Sequence, residues 1–248
     1  MRSIRPTIFA GIIFLLIITS TCNGLITENY HLRDIGSIQI NNKFVLVTGF
    51  GPFGEHKINP SQYISENLSG LIINNASIVG IILPVDYLDS VNVITAAIQE
   101  YNPILIISIG LAANYKSIGI EKLALNLKRI KKDNWPYYRI QRIDTNGPLF
   151  RISHLPSIKL VKEIRDEKIS AKISFYAGIY ICNALLYNVL AYIKENNLKT
   201  KAGFIHVPLL KSENPEGMAL DEMITATTIA IEESLDYFYK NSFNNFSH

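Results

Sequence analysis

Apolar runs of strand length alternate along the chain with stretches whose apolar residues recur at helical spacing. The strand-like runs lie at residues 43–50, 77–85, 103–110, 171–178 and 202–208. The helical patterns lie at residues 60–71, 87–101, 156–168, 182–197 and 219–240. The run at 103–110 is apolar on both faces, as in a parallel strand that is covered on both sides. The alternation predicts an α/β fold in a single domain, a three-layer α/β/α sandwich around a mostly parallel twisted sheet.

Two stretches interrupt this alternation. Residues 120–129 carry leucine at every second position, Leu123, Leu125 and Leu127, which predicts extended chain. Residues 130–150 are polar and rich in turn-forming residues, which predicts a long surface excursion. Ligands of α/β sheets usually bind at the carboxyl ends of the strands, so the functional side chains are expected in or near the loops there.

The first 24 residues have the pattern of a cleaved secretory signal peptide. Arg2 and Arg5 precede an uncharged apolar stretch at 7–22, and small residues follow it. We therefore expect a secreted protein. Two alternatives remain open, namely a membrane anchor formed by residues 7–22 and a lipid attached to Cys22. We therefore expect four segments, namely a signal peptide (1–24), an N-terminal arm or linker (25–42), an α/β domain (43–240) and a polar tail (241–248).

Composition narrows the class of protein. The chain has 248 residues, of which 48% are hydrophobic and 18% charged, and this balance is typical of a globular protein with a full core. The net charge of +3 and the scattered basic residues argue against a nucleic-acid partner. One basic cluster, at 128–132, is interpreted as a solvated loop face, with a functional patch as the alternative. The histidines and cysteines do not show zinc-ligand spacing, so no metal and no cofactor are expected.

Cys182 is the candidate nucleophile. Cys22 and Cys182 are the two cysteines of the chain, and removal of the signal peptide would leave Cys182 alone. Cys182 stands where a strand gives way to a helix, and the backbone N–H groups of a helix N-terminus favour a thiolate. His206 lies in an apolar strand, and Glu121 lies just beyond the strand at 103–110. These residue types suit a cysteine peptidase. Taken alone they also fit a buried thiol, a core histidine and a surface glutamate.

Four stretches of sequence resemble the pyroglutamyl peptidase I family, cysteine peptidases that remove N-terminal pyroglutamate from peptides. They are "TGFGPFGEHKINPS" (48–61), "IEKLALN" (120–126), "AGIYICNALLY" (177–187) and "GFIHVP" (203–208). They occur in the order found in that family, and the resemblance extends over roughly residues 43 to 240. Residues 110–117 and 131–150 depart from the family pattern, and so does the N-terminal signal-like segment.

The resemblance implies a role for each matching residue. Cys182 would be the nucleophile, His206 the general base and acid, and Glu121 the acidic third member of the triad. The positions that match the substrate pocket are Phe50, Phe53, Asn59, Tyr180 and Ile181. Asn126 matches a position whose role is support of loop geometry, and the same supporting role is the alternative for Asn59.

The partners implied are peptides with an N-terminal pyroglutamyl residue. No nucleic acid is expected, and no membrane once the signal peptide is removed, while a homo-oligomer is compatible with the resemblance. A secreted protein that kept the pocket and lost useful turnover is the alternative function.

Overall fold

The computed structural model describes residues 43–131 and 138–244. Its strands are β1 (Lys43–Phe50), β2 (Ile72–Ile73), β3 (Ala76–Leu83), β4 (Leu105–Leu111), β5 (Ile118–Glu121), β6 (Leu123–Leu125), β7 (Lys128–Lys131), β8 (Tyr138–Gln141), β9 (Phe150–Ile152), β10 (Ala171–Ser174) and β11 (Lys201–Val207). Its helices are α1 (Pro60–Leu68), α2 (Asp89–Tyr101), α3 (Ser157–Asp166), α4 (Ile181–Glu195) and α5 (Leu220–Asn244).

Seven strands form the central sheet, in the order β10-β5-β11-β4-β1-β3-β2. Strand β1 is parallel to β3 and β4, β4 is parallel to β11, and β10 is parallel to β5. The antiparallel pairs are β5 with β11 and β2 with β3. Strand β4 is buried along its whole length, as its apolar sequence predicts. The prediction of a mostly parallel sheet is therefore confirmed.

Helices cover both faces of this sheet. Helix α5 contacts both α1 and α3 over one face, and α2 and α4 contact each other over the opposite face. The strands alternate between these two cores: in β11, Ile205 and Val207 belong to the α1/α3/α5 core, whereas Phe204 belongs to the α2/α4 core. The three-layer α/β/α architecture is confirmed. The same alternation places His206, two residues after Phe204, on the face covered by α4.

The segment at 120–129 is extended, but it is not one strand. Strand β5 belongs to the central sheet, β6 pairs with β9, and β7 pairs with β8. The side chain of Asn183 in α4 accepts a hydrogen bond from Leu125 N and donates to the carbonyl oxygens of Leu125 and Leu127. These bonds hold the chain against α4 and away from the central sheet, which explains the break.

Other boundaries differ from the sequence predictions by a few residues. The predicted excursion at 130–150 contains strand β8, and its residues 132–137 lie outside the described residues. The strand predicted at 171–178 ends at Ser174, and Gly178 has a positive φ of 80° in the loop that follows. Helix α4 begins at Ile181, one residue before Cys182.

The N-terminal predictions lie outside the described residues. The signal peptide and the arm fall within residues 1–42, so both stay predictions. Of the predicted tail, 241–244 continue α5 and 245–248 lie outside the described residues. Within 43–131 and 138–244, no helix has both the length and the apolar character needed to cross a membrane.

Candidate active site

The candidate site lies on the α4 face of the sheet, where β4, β5 and β11 are neighbours. His206 in β11 is the register partner of Gly110 in β4 and of Gly119 in β5. Glu121, two residues after Gly119, therefore points to the same face as His206. Helix α4 covers this face, and its first turn carries Cys182. The topology thus brings together three side chains that are far apart in sequence.

Glu121 and His206 form a buried hydrogen-bonded pair. The imidazole Nδ1 lies 2.8 Å from Glu121 Oε1. The Glu121 side chain is fully buried, and that of His206 is 7% exposed. An ionised carboxylate can only accept a hydrogen bond, so Nδ1 carries the proton and donates it to Glu121. This bond fixes the plane of the ring and leaves Nε2 as the nitrogen that can exchange a proton.

The sulfur of Cys182 occupies the space above Gly110. A Cβ atom at position 110 would lie 2.9 Å from Cys182 Sγ and 2.8 Å from Phe204 Cζ. Position 110 must therefore be glycine for the Cys182 sulfur to lie against β4, the strand that pairs with β11 at His206. The thiol is half-buried. The first-turn N–H groups of α4 have no partner within the helix, and Tyr180, which precedes it, makes no side-chain cap.

The charge state of His206 depends on both neighbours. Burial alone would lower its pKa, but the Cys182 thiolate and the Glu121 carboxylate outweigh that effect and raise the pKa to about 9. The imidazole is therefore protonated at neutral pH. A protonated imidazole beside the sulfur stabilises a thiolate, the form of cysteine that acts as a nucleophile.

A narrow recess opens beside Cys182. Its lining residues are Phe50, Phe53, Asn59, Val85, Leu111, Tyr180, Ile181 and Cys182. The five positions that the sequence assigned to the pocket are thus brought together around the sulfur. Val85 and Leu111 were not predicted. Each lies at or just beyond the carboxyl end of a predicted strand, which is the signal that could have identified them.

Two asparagines support the loops of the site. Asn59 borders the recess, but its Oδ1 accepts hydrogen bonds from Ser61 N and Ser61 Oγ, and its Nδ2 donates to Gly51 O. Its amide therefore holds the loop that carries Phe50 and Phe53. Asn126 accepts from Ile143 N and Asp144 N and donates to Asp144 O, so it attaches the 143–147 segment to the end of β6.

Sequence reasoning also missed Tyr115 and Ser174, which lie behind the Glu121–His206 pair. The Tyr115 hydroxyl is 3.4 Å from Glu121 Oε1 and 3.1 Å from Ser174 Oγ. The Tyr115 ring meets the His206 ring edge-on, with centroids 5.7 Å apart. Only their positions relative to the strands could have indicated these two residues: Tyr115 lies in the loop after β4, and Ser174 is the last residue of β10.

Two observations bear on other kinds of site. Within the described ranges, no group of three or more His, Cys, Asp or Glu side chains could hold a metal ion. A wider groove lies between β9 and the C-terminal half of α4, but Cys182, His206 and Glu121 do not line it. The narrow recess beside Cys182 is therefore the candidate site, because the candidate nucleophile forms part of its wall.

Comparisons with known proteins agree with this geometry. The family model described as pyroglutamyl peptidase matches residues 43–237. The pyrrolidone-carboxylate peptidase of Thermococcus litoralis is 35% identical over 211 residues, which cover 80% of this chain and 96% of the relative. Pyrrolidone-carboxylate peptidase 2 of Caldanaerobacter subterraneus is 38% identical, over 76% of this chain and 94% of the relative.

Solved structures show the same similarity. The pyrrolidone carboxyl peptidase structure from Thermococcus litoralis has a TM-score of 0.74 and 34% identity, covering 80% of this chain and 96% of that one. Bacillus amyloliquefaciens pyroglutamyl peptidase I has a TM-score of 0.72 and 31% identity, covering 78% of this chain and 97% of that one.

Gly110→Ala tests the space above β4. The added methyl group would overlap Cys182 Sγ and Phe204 Cζ, so the sulfur must move away from the imidazole. We expect alkylation of Cys182 by iodoacetamide at neutral pH, followed by peptide mass spectrometry, to slow about tenfold or more. Gly51→Ala is the matched control, because a Cβ at position 51 meets nothing within 4 Å. Equal alkylation rates in Gly110→Ala and wild type would contradict this packing.

Cys182→Ala tests the electrostatic coupling. With the thiolate removed, the largest cause that raises the pKa of His206 is gone and the opposing effect of burial remains. We therefore expect the pKa of His206 to fall below about 9, as followed by NMR titration of the ring protons, with His206→Gln used to assign the signal. An unchanged pKa would show that the sulfur and the imidazole are not coupled.

Proposed function

The chain belongs to the pyroglutamyl peptidase family, and we propose that it uses Cys182, His206 and Glu121 to release the N-terminal pyroglutamyl residue of peptides. As a member of this family it is a cysteine omega-peptidase, a hydrolase that acts at a peptide terminus. One observation carries the assignment of roles: Glu121 orients the His206 ring through a 2.8 Å hydrogen bond, and the Cys182 sulfur lies beside that ring over Gly110.

In the proposed reaction the Cys182 thiolate attacks the carbonyl carbon of the pyroglutamyl residue. The negative oxygen that forms would be stabilised by first-turn N–H groups of α4, which have no partner within the helix. The His206 imidazolium then gives its proton to the leaving amine as the C–N bond breaks. A thioester between Cys182 and the pyroglutamyl group remains. His206 takes a proton from water, whose oxygen attacks the thioester and releases pyroglutamate and the thiolate.

The recess suits an uncharged ring. Its walls are mostly apolar, and Phe50 and Ile181 are buried whereas Phe53 and Tyr180 are more accessible. Pyroglutamate is a closed lactam that carries no amine charge, so it loses little hydration energy in such surroundings. Because both ends of the Asn59 amide bind the loop, backbone groups are the proposed partners of the lactam N–H and C=O. A prolyl ring lacks that carbonyl and would leave its donor unpaired.

The alternative of a pocket-bearing protein without turnover is not favoured. Family membership together with the arrangement of Cys182, His206 and Glu121 supports an enzyme.

Cys182→Ala is the decisive variant for this function. We expect hydrolysis of a fluorogenic pyroglutamyl amide, measured under reducing conditions, to fall by at least about a thousandfold because the nucleophile is removed. Cys22→Ala, which removes the other thiol of the chain, should keep wild-type activity, and the matching prolyl amide should not be cleaved. Circular dichroism would verify that Cys182→Ala is folded. A folded Cys182→Ala variant that retains activity would refute the assignment.

We also propose that the enzyme enters a secretory route. The basic start, the apolar stretch at 7–22 and the small residues after it support this proposal. The full chain would be expressed in a host that has a secretory pathway. N-terminal sequencing of the mature protein should then give a first residue near Cys22 to Gly24. A mature chain that begins at Met1 would contradict cleavage and favour a retained anchor, and a lipid-modified Cys22 would favour the lipoprotein alternative.

A further inference from the structure

Behind the Glu121–His206 pair, a chain of hydroxyl groups continues to the edge of the sheet. The Tyr115 hydroxyl lies 3.4 Å from Glu121 Oε1 and 3.1 Å from Ser174 Oγ. Ser174 is the register partner of Glu121 in the β10–β5 pair, so the two backbones are adjacent. The order of contacts is therefore Ser174, Tyr115, Glu121, His206 and Cys182.

We propose that Tyr115 is a positioning residue for catalysis: its phenol donates a hydrogen bond to Glu121 Oε1, and Ser174 donates to the phenol oxygen. This inference rests on the proposed roles of Glu121 and His206. The direction of the bonds follows from the chemistry of the acceptor. An ionised carboxylate cannot donate, so the phenol proton must point to Glu121, and the phenol oxygen is left to accept. The Ser174 hydroxyl has two acceptors in reach, the phenol oxygen at 3.1 Å and Tyr176 O at 3.4 Å, and the phenol is the nearer.

The Tyr115 ring is held in place from several sides. It lies over Gly119, where a Cβ would be only 2.6 Å from Tyr115 Cε2. Its edge contact with His206 has an interplanar angle of 68°, and Lys172 Nζ is 3.6 Å from its centroid. Gly119 thus provides room for Tyr115 on β5, as Gly110 does for Cys182 on β4. The ring cannot turn without losing these contacts, so the direction of its hydroxyl is set by packing.

The loop that carries Tyr115 is fastened at both ends. Ala112 N donates to Val207 O at 2.9 Å, which ties the start of the loop to the residue after His206. Tyr115 N donates to Ala112 O at 2.8 Å and closes a turn. On the outer side, Lys116 forms an ion pair with Glu216. The loop therefore holds Tyr115 at a fixed place relative to the catalytic strand.

Glu121 has few hydrogen-bond donors for a buried carboxylate. Its Oε1 contacts His206 and Tyr115, whereas its Oε2 is buried and has no hydrogen-bond partner within residues 43–131 and 138–244. Burial of a carboxylate without hydrogen-bond donors is unfavourable, so each donor to Oε1 stabilises the Glu121 side chain in its buried position. Burial raises the pKa of Tyr115, and the Glu121 charge raises it further, so the phenol keeps the proton that it donates.

Tyr115→Phe tests the inference because it keeps the ring and removes only the hydroxyl. We expect kcat for a pyroglutamyl amide to fall about tenfold, with KM nearly unchanged, because Tyr115 does not line the substrate recess. Loss of the donor leaves the Glu121 charge less compensated, so the pKa of His206, which Glu121 helps to raise, should rise further, and the basic limb of the pH profile of kcat/KM should move to higher pH. Lys172 and His206 are the cationic groups facing this site, and both are retained in the variant.

Ser174→Ala is the second variant, and Tyr176→Phe is the matched control. Ser174→Ala removes the donor to the phenol, so it should shift the limb in the same direction by a smaller amount. Tyr176 is 56% exposed and lies two residues from Ser174, and loss of its hydroxyl should change neither kcat nor the profile.

Wild-type kinetics in Tyr115→Phe would overturn the inference. So would a fall in kcat with the basic limb unmoved, since that result indicates a packing role alone. These results differ from failure of the proposed function, which would appear as activity that survives in Cys182→Ala.

Discussion

The site depends on the absence of a side chain at Gly110. Strands β4 and β11 are paired in parallel with Gly110 opposite His206, and α4 is laid across them with its first turn above that point. A Cβ there would be 2.9 Å from the Cys182 sulfur, so any larger residue would push the thiol away from the imidazole. Packing in the α2/α4 core then fixes the position of the sulfur, because buried residues such as Leu185 of α4 and Phe204 of β11 belong to the same hydrophobic cluster.

This packing has an electrostatic consequence. Burial of the Glu121 carboxylate and the His206 imidazole beside a half-buried thiol removes much of their hydration, which is costly unless the charges pair. The arrangement offsets that cost by placing the His206 imidazolium between the Glu121 carboxyl group and the Cys182 sulfur. The pKa of about 9 for His206 expresses the balance, since burial opposes the charge and both neighbours favour it. Removing one partner would leave the others buried and uncompensated, so the three residues act as one unit.

Local apolar patterns allowed the fold to be predicted, and the resemblance to the pyroglutamyl peptidase I family implied the residues of the candidate site. The alternation of strand-like and helix-like apolar patterns indicated the three layers. The five predicted pocket positions line one recess beside Cys182. Contacts between residues that are far apart in the sequence could not be predicted from these patterns. The break after Glu121 depends on Asn183, more than fifty residues away in α4, and Tyr115 meets Ser174 through the β5–β10 register. The N-terminal predictions concern residues 1–42, outside the described part of the chain.

If the recess binds substrate as proposed, its lining would account for selectivity for a blocked N-terminus. Its side chains are apolar or aromatic apart from Asn59 and the thiol, and the Asn59 amide is already bound to Ser61 and Gly51. A peptide with a free N-terminus would have to place its ammonium group among these residues, and none of the side chains lining the recess is a carboxylate that could pair with it. Closure of the ring into a lactam removes that charge. The same walls that accept pyroglutamate would therefore reject glutamine with a free amine, by desolvation and without a dedicated repulsive group.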